Sequence, residues 1–180
     1  MNFNILHDGI VIVKSLDYDF SNLFTFLKSE IIWDNSISSR KTASFGVPYN
    51  YSNINYNQVE FPEYINDLAK KIDSIVGYSQ NNCLINYYFD NDSKMGYHSD
   101  QIDILDEDTG IVIISLGSIR KIRFKNKIDS SKVIDLDVDP NSFFYMTQEV
   151  QKKWLHSILP EKSNNLSERI SITFRKIKTD

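Results

Sequence analysis

The chain of 180 residues holds one cysteine, Cys83, and only 4 prolines and 6 glycines. A single thiol excludes an internal disulfide framework and any zinc site built on paired cysteines, and it fits a reducing compartment. The prolines and glycines are scattered, so no flexible linker divides the chain, and no stretch repeats at a period of about 20 to 50 residues. No apolar run approaches the ~18 residues that a membrane span needs, and Met1-Asn2-Phe3-Asn4 does not begin a secretory signal. Charge of one sign is also missing: 20 Lys+Arg against 24 Asp+Glu leave -4, so nothing global advertises nucleic acid. These absences predict one soluble, unexported domain over 1–180, a monomer with no membrane partner in a reducing intracellular compartment, cytoplasm or nucleus. Any metal must be held by histidine and carboxylates.

Hydrophobic residues at 41% and charged residues at 24% support a real core. Gly9 to Val13 reads as a short strand, and Asp19 or Ser21 is placed to cap a helix through Leu23, Phe24, Phe26, Leu27 and Ile31. A second helix is expected after Pro62, with Tyr64, Ile65, Leu68, Ala69, Ile72, Ile75 and Val76 at helical spacing and Gly77 to end it. Arg40 to Asn57 reads as loop with short extended pieces. From Asn82 onward the pattern changes to short β-type runs: Cys83 to Phe89, Ile111 to Leu116, Lys121 to Lys125, Val133 to Leu136, Ser142 to Met146 and Arg169 to Arg175. The fold class predicted is α+β, mainly β: a double-stranded β-helix, or jelly-roll, core over 81–178 with the helices of 1–80 packed on one side.

The strongest chemical signal is Tyr97-His98-Ser99-Asp100, because residues two apart in an extended segment share a side, which places imidazole and carboxylate together. His156, after the Phe143-Phe144-Tyr145-Met146 run, is a third candidate that a sandwich brings back beside the pair. Two His and one carboxylate form the facial triad of non-haem iron(II) oxygenases, with three positions left open. In Arg169-Ile170-Ser171-Ile172-Thr173-Phe174-Arg175, alternation puts Arg169, Ser171, Thr173 and Arg175 on one face and the apolar residues on the core face. The polar face has two readings, ordinary solvent exposure or a receptor for a small dicarboxylate, since guanidinium matches carboxylate in bidentate geometry. Asn86 and Tyr88 share a side of their own strand and could complete such a receptor.

The chain at this point resembles the AlkB-like family of iron(II)- and 2-oxoglutarate-dependent dioxygenases. The similar stretches are Leu84-Ile85-Asn86-Tyr87-Tyr88, His98-Ser99-Asp100, Ile114-Ser115-Leu116-Gly117, His156-Ser157-Ile158-Leu159-Pro160 and Arg169 to Ile177, in the family's order. The resemblance implies that His98, Asp100 and His156 bind Fe(II). It implies that Arg169, Ser171 and Tyr88 hold the distal carboxylate of 2-oxoglutarate, that Arg175 and Asn86 lie nearer its chelating end, and that Thr173 belongs to the same group. The implied chemistry consumes O2 and 2-oxoglutarate, yields succinate and carbon dioxide, and hydroxylates an N-alkyl carbon whose product collapses to formaldehyde and the repaired amine.

A looser resemblance from Arg40 through Phe45-Gly46 and Tyr49-Asn50-Tyr51-Ser52 implies a substrate-recognition segment, with alkylated DNA or RNA as the partner. Family members acting on bases sandwich a flipped nucleotide against aromatic or imidazole rings, a role that falls to Tyr51 and His98, with Tyr49 and Phe45 beside them; packing beneath a loop is the competing reading. Base-repair members carry an acidic residue four positions after the first metal histidine, where this chain has Ile102, and Asp103 is the nearest substitute. Ile102 keeps a second reading open, in which the substrate is a protein side chain or a small molecule, and a non-catalytic jelly-roll binding module is a third. Arg120, Lys121, Arg123, Lys125 and Lys127 surround a strand whose Ile122 and Phe124 face inward; they read as a basic strip for phosphate, extended by Arg40-Lys41 and Lys152-Lys153, or as a solvated strand face.

Overall fold

The structure is a computed structural model that describes residues 2–6, 9–50, 56–162, 165 and 167–179. Its elements in chain order are β1 (Asn2–Leu6), β2 (Gly9–Ser15), α1 (Leu23–Glu30), β3 (Lys41–Gly46), α2 (Glu63–Val76), β4 (Asn82–Tyr88), β5 (Met95–His98), β6 (Gly110–Gly117), β7 (Arg120–Asn126), β8 (Val133–Val138), β9 (Ser142–Thr147), α3 (Gln148–Lys153), β10 (Trp154–Ile158) and β11 (Arg169–Arg175). No helix among the described residues is long and apolar enough to cross a membrane.

Two antiparallel sheets form the predicted double-stranded β-helix core. The larger has the order β1-β2-β9-β6-β11-β4-β3 and the smaller β5-β10-β7-β8. Period-two alternation divides each central strand between two cores. Cys83, Ile85 and Tyr87 of β4, Val112, Ile114 and Leu116 of β6, and Ile170, Ile172 and Phe174 of β11 face α1 and α2, which contribute Leu23, Leu27, Ile65, Leu68 and Ile72. The opposite faces turn inward between the sheets, where Ile111, Ile113 and Phe144 meet Ile122, Phe124 and Ile158. All seven residues of β11 are buried, so its polar face lies inside the protein and the solvent reading of it is excluded.

The helix α2 follows its pattern closely. Its four fully buried side chains lie on one face, and Gly77 ends it at φ 85°, where its N–H meets the Asp73 carbonyl. For α1 the cap differs from expectation. Asp19 Oδ1 accepts the Ser21 N–H at 2.9 Å in a turn before the helix, which then starts from Asn22 without a side-chain cap. In the segment after Arg40, expected as loop with short extended pieces, one such piece is strand β3, paired residue for residue with β4 from Lys41↔Tyr87 to Gly46↔Asn82. Its Lys-Thr-Ala-Ser-Phe-Gly run carries little β propensity, and pairing to a fully buried neighbour overrides that.

Candidate metal centre

The three metal candidates converge by strand pairing. In the β5–β10 ladder His98 lies directly opposite His156, so both rings project to the same side, with centroids 4.2 Å apart. Asp100 follows the end of β5 by two residues, and its Oδ1 lies 3.8 Å from His98 Nε2. One ligand atom from each of the three residues falls within 4.8 Å of the others.

The neighbours of each member fix its direction. His98 Nδ1 faces the Gly96 carbonyl at 2.9 Å, an acceptor, so this nitrogen carries a proton and Nε2 is the ring atom turned toward Asp100. Burial, reinforced by the charge of His98, drives the His156 pKa down to about 3, so this ring is neutral, and its Nδ1 has no hydrogen-bond partner among the described residues. Burial pushes the Asp100 carboxyl up, but Arg175, His156 and His98 outweigh it and hold the group at about 2. Arg175 donates to Asp100 Oδ2 from Nε at 3.1 Å and Nη2 at 2.8 Å, which leaves Oδ1 for the histidines. Gln151 Oε1 accepts the Asp100 N–H at 2.9 Å, and Arg175 in turn lies over the Tyr49 ring at 4.0 Å. Two imidazoles, that of His156 held neutral by burial, and an ionised carboxylate are a donor set that fits iron(II).

Beside the triad runs a narrow cleft lined by Asn86, Tyr88, Arg169, Ser171, Thr173 and Arg175, together with Met95 and the three metal candidates. The β11 registers Arg169↔Tyr88 and Ser171↔Asn86 put these predicted residues on one inward face. Arg169 is 1% exposed; its Nε donates to Ser115 Oγ at 2.9 Å, its guanidinium carbon lies 5.3 Å from the Tyr88 ring centroid, and its Nη2 has no partner among the described residues. A buried cationic donor without an acceptor is costly unless a ligand supplies one. An acid with a distal carboxylate fits that place. Asn86 Oδ1 accepts from Arg40 Nε at 2.9 Å, so the amide is tied to the segment expected to recognise substrate.

The triad opens outward into a cavity of about 400 Å³ walled by Arg40, Tyr49, Met95, Tyr97, Ser99 and Gln101. Arg40 and Tyr49 are thus brought to the site, and the Tyr49 hydroxyl accepts the Gln101 N–H at 2.8 Å. Tyr51 lies outside the described residues. Phe45 is a correction: it shares the parity of Ala43 on β3 and packs into the helix-side core, across the sheet from the cavity. Asp103 is another. It is exposed and lines a separate shallow cleft with Pro48 and Lys178, while Ile102 packs partly buried against the interior cluster.

The basic strip is largely dismantled. Arg120 is buried, Lys121 pairs with Asp137 at 2.6 Å, and Arg123 pairs with Asp135 at 2.6 Å, so these three present little free positive charge. Arg40 is buried as well. Lys125 lies over the Tyr97 ring at 4.8 Å, and Lys127 donates to Ser99 Oγ at 3.0 Å, at the edge of the cavity.

Several residues of the centre were assigned no role from the sequence. Ser115 faces Arg169 because β6 pairs with β11 at Ser171↔Ser115, a register that only the fold reveals. Gln151 and Asn82, which hold Asp100 and Arg175, are ordinary amides in the chain. Arg120 was discoverable, since it shares the inward parity of Ile122 and Phe124.

The sequence pattern of the 2OG-Fe(II) oxygenase superfamily matches residues 29–175. An uncharacterized protein, R406, of Acanthamoeba polyphaga mimivirus is 34% identical over 127 residues, which are 71% of this chain and 65% of that one. The human protein called DNA oxidative demethylase ALKBH2 is 27% identical over 148 residues, covering 77% of this chain and 56% of its own length. The chain therefore spans between about half and two thirds of these curated relatives. Among solved structures, that of OsALKBH1 superposes with a TM-score of 0.59 at 16% identity, over 77% of this chain and 78% of that one, which shows a shared fold.

Proposed function

The chain belongs to the 2OG-Fe(II) oxygenase superfamily, and from that membership we propose that it is an iron(II)- and 2-oxoglutarate-dependent dioxygenase that removes small alkyl groups from nucleobases of DNA or RNA. The observation that carries the reading is the adjacency of two incomplete receptors: the His98, Asp100 and His156 donor set, and the buried Arg169 guanidinium with an unsatisfied Nη2 in the same cleft. Iron(II) and 2-oxoglutarate, when bound, would supply the oxidation of the alkyl carbon, with oxygen consumed and succinate and carbon dioxide formed.

The chain's own residues bind and orient. His98 and His156 offer imidazole nitrogen, Asp100 offers a carboxylate that stays ionised, and Arg175 with Gln151 fixes its direction. Arg169, Ser171 and Tyr88 receive the distal carboxylate, as bidentate guanidinium recognition allows. The outer cavity then takes the alkylated base. Its size suits a planar heterocycle, and Tyr97 and Gln101 at its wall supply a stacking face and an amide. The similarity to proteins named DNA oxidative demethylase supports a nucleic-acid substrate.

A second reading, a protein or small-molecule substrate, is favoured by one feature. Ile102 packs inward and Asp103 lines a separate cleft, so Asp100 is the one carboxylate among the described residues walling the cavity. Incubation with methylated DNA and RNA oligonucleotides, iron(II), 2-oxoglutarate and air separates the two. Loss of a methyl mass with matching succinate supports demethylation; succinate without demethylation across the panel refutes the nucleobase reading and favours the second.

A further inference from the structure

Arg120 opens β7 on its inward face and is 1% exposed. A buried guanidinium is tolerated only when its donors are matched, and four of its five N–H groups are. Nη1 donates to the carbonyls of Ser93 at 3.2 Å and Leu159 at 3.1 Å, and Nη2 to those of Asp90 and, at 3.0 Å, Ser167. These carbonyls belong to three segments, each adjoining a strand that carries part of the site. Asp90 and Ser93 lie between β4, with Asn86 and Tyr88, and β5, with Met95 and His98; Leu159 follows β10, with His156; Ser167 precedes Arg169 by two residues.

The same knot is tightened by Asn91, whose Oδ1 accepts the Ser167 N–H at 2.8 Å and whose carbonyl accepts the Glu161 N–H at 2.8 Å. Asp90 Oδ1 accepts the Ser93 N–H at 2.7 Å and closes the turn that presents two of the carbonyls. One planar fork thus ties three chain segments together at the end of the cleft where Arg169 and Tyr88 stand. Arg120 also sits near Arg169: burial first, then the Arg120 charge, lowers the Arg169 pKa against the opposing effect of Tyr88.

We infer that Arg120 is a positioning residue for the cosubstrate: by fixing Ser167 and the Asp90 to Ser93 turn, it sets Arg169 and Tyr88 where they receive the distal carboxylate of a 2-oxo diacid. It thereby controls selection of the diacid over a 2-oxo acid that lacks that carboxylate. The inference rests on the dioxygenase reading above.

The test is calorimetry on the full chain loaded with manganese(II), comparing 2-oxoglutarate with 2-oxobutyrate, which has the same chelating end and no distal carboxylate. Wild-type protein that binds no 2-oxoglutarate refutes the dioxygenase reading itself. Where the wild type binds, Arg120→Met is expected to weaken 2-oxoglutarate by about tenfold or more and 2-oxobutyrate by less than about threefold. Arg120→Lys, which keeps the charge but not the planar fork, should lose about threefold or more of the discrimination between the two acids. Equal weakening of both acids, or unchanged discrimination, overturns the inference, because a purely structural clamp would move both alike. If Arg120→Met does not fold, Arg120→Lys carries the comparison; failure of both to fold assigns Arg120 to stability alone and overturns the inference as well.

Discussion

Replacing Arg169 with methionine should separate ligand binding from stability, because in this cleft the two have different origins. In the unliganded protein, Arg169→Met removes the unpartnered Nη2, whose burial costs about 1–3 kcal/mol. It also removes the Nε to Ser115 Oγ hydrogen bond, worth about 1.5–3 kcal/mol with a charged donor. The two nearly cancel, so the unliganded variant should melt within about 5 °C of wild type. With 2-oxoglutarate the balance changes, since charge-assisted hydrogen bonds to the distal carboxylate worth about 1.5–3 kcal/mol correspond to an affinity loss of about 10- to 150-fold. At a concentration of about 100 times the wild-type Kd, wild-type protein gains about 2.7 kcal/mol from the ligand, or about 5–10 °C in Tm. A variant bound about 30-fold more weakly gains about 1 kcal/mol, or about 2–4 °C. Thermal unfolding of the manganese(II)-loaded proteins with and without 2-oxoglutarate reads both quantities. An undiminished ligand shift would refute the carboxylate role, and an unliganded variant melting more than about 10 °C low would make Arg169 a structural cation.

The other predictions follow from burial and pairing. Asp100→Ala strands the buried Arg175 guanidinium and should cost the metal-free protein about 3–5 kcal/mol in urea denaturation, whereas His98→Ala, at a half-exposed position, should cost less than about 2 kcal/mol; equal costs would refute the buried ion pair as the difference. The native pKa of His156 is about 3 against an ordinary 6.5, so between those values the unfolded chain binds the extra proton and stability rises with pH. Metal-free protein should therefore gain about 1.3 kcal/mol per pH unit between about pH 4.5 and 5.5 from this group, the slope halving by about pH 6.5, and His156→Gln should lose that slope; an unchanged slope would contradict the buried neutral ring. Lys121→Gln and Arg123→Gln should change oligonucleotide affinity less than about twofold at a fixed salt concentration, because Asp137 and Asp135 already neutralise them. A large loss would restore the basic strip.

The parts of the fold that alternate or repeat strictly were readable from the chain. Arg169 to Arg175 shows a clean period of two, and the 63–76 helix a clean helical period, because each faces one uniform core. His98 and Asp100 were readable for the same reason, as neighbours on an extended segment. Strand β10 was not, since Trp-Leu-His-Ser-Ile has no regular alternation and takes its form from pairing with β7 on one side and β5 on the other. Phe45 was misplaced because an aromatic beside the recognition segment looks like a stacking ring until the register with Cys83 puts it on the helix side. Asp103 lies three residues beyond a metal candidate, yet the turn after Asp100 carries it outward. Arg120 was read with its charged neighbours rather than with the parity of Ile122 and Phe124.

An anaerobic titration of the iron(II)-loaded protein with 2-oxoglutarate, followed by the visible charge-transfer absorption of a 2-oxo acid chelated to iron(II), reports directly on whether this cleft holds both. A saturable band is expected in wild type, lost in His156→Ala and displaced to at least about tenfold higher ligand concentration in Arg169→Met. No band in folded wild-type protein, or an undiminished band in His156→Ala, would contradict the assignment of this cleft to iron and 2-oxoglutarate.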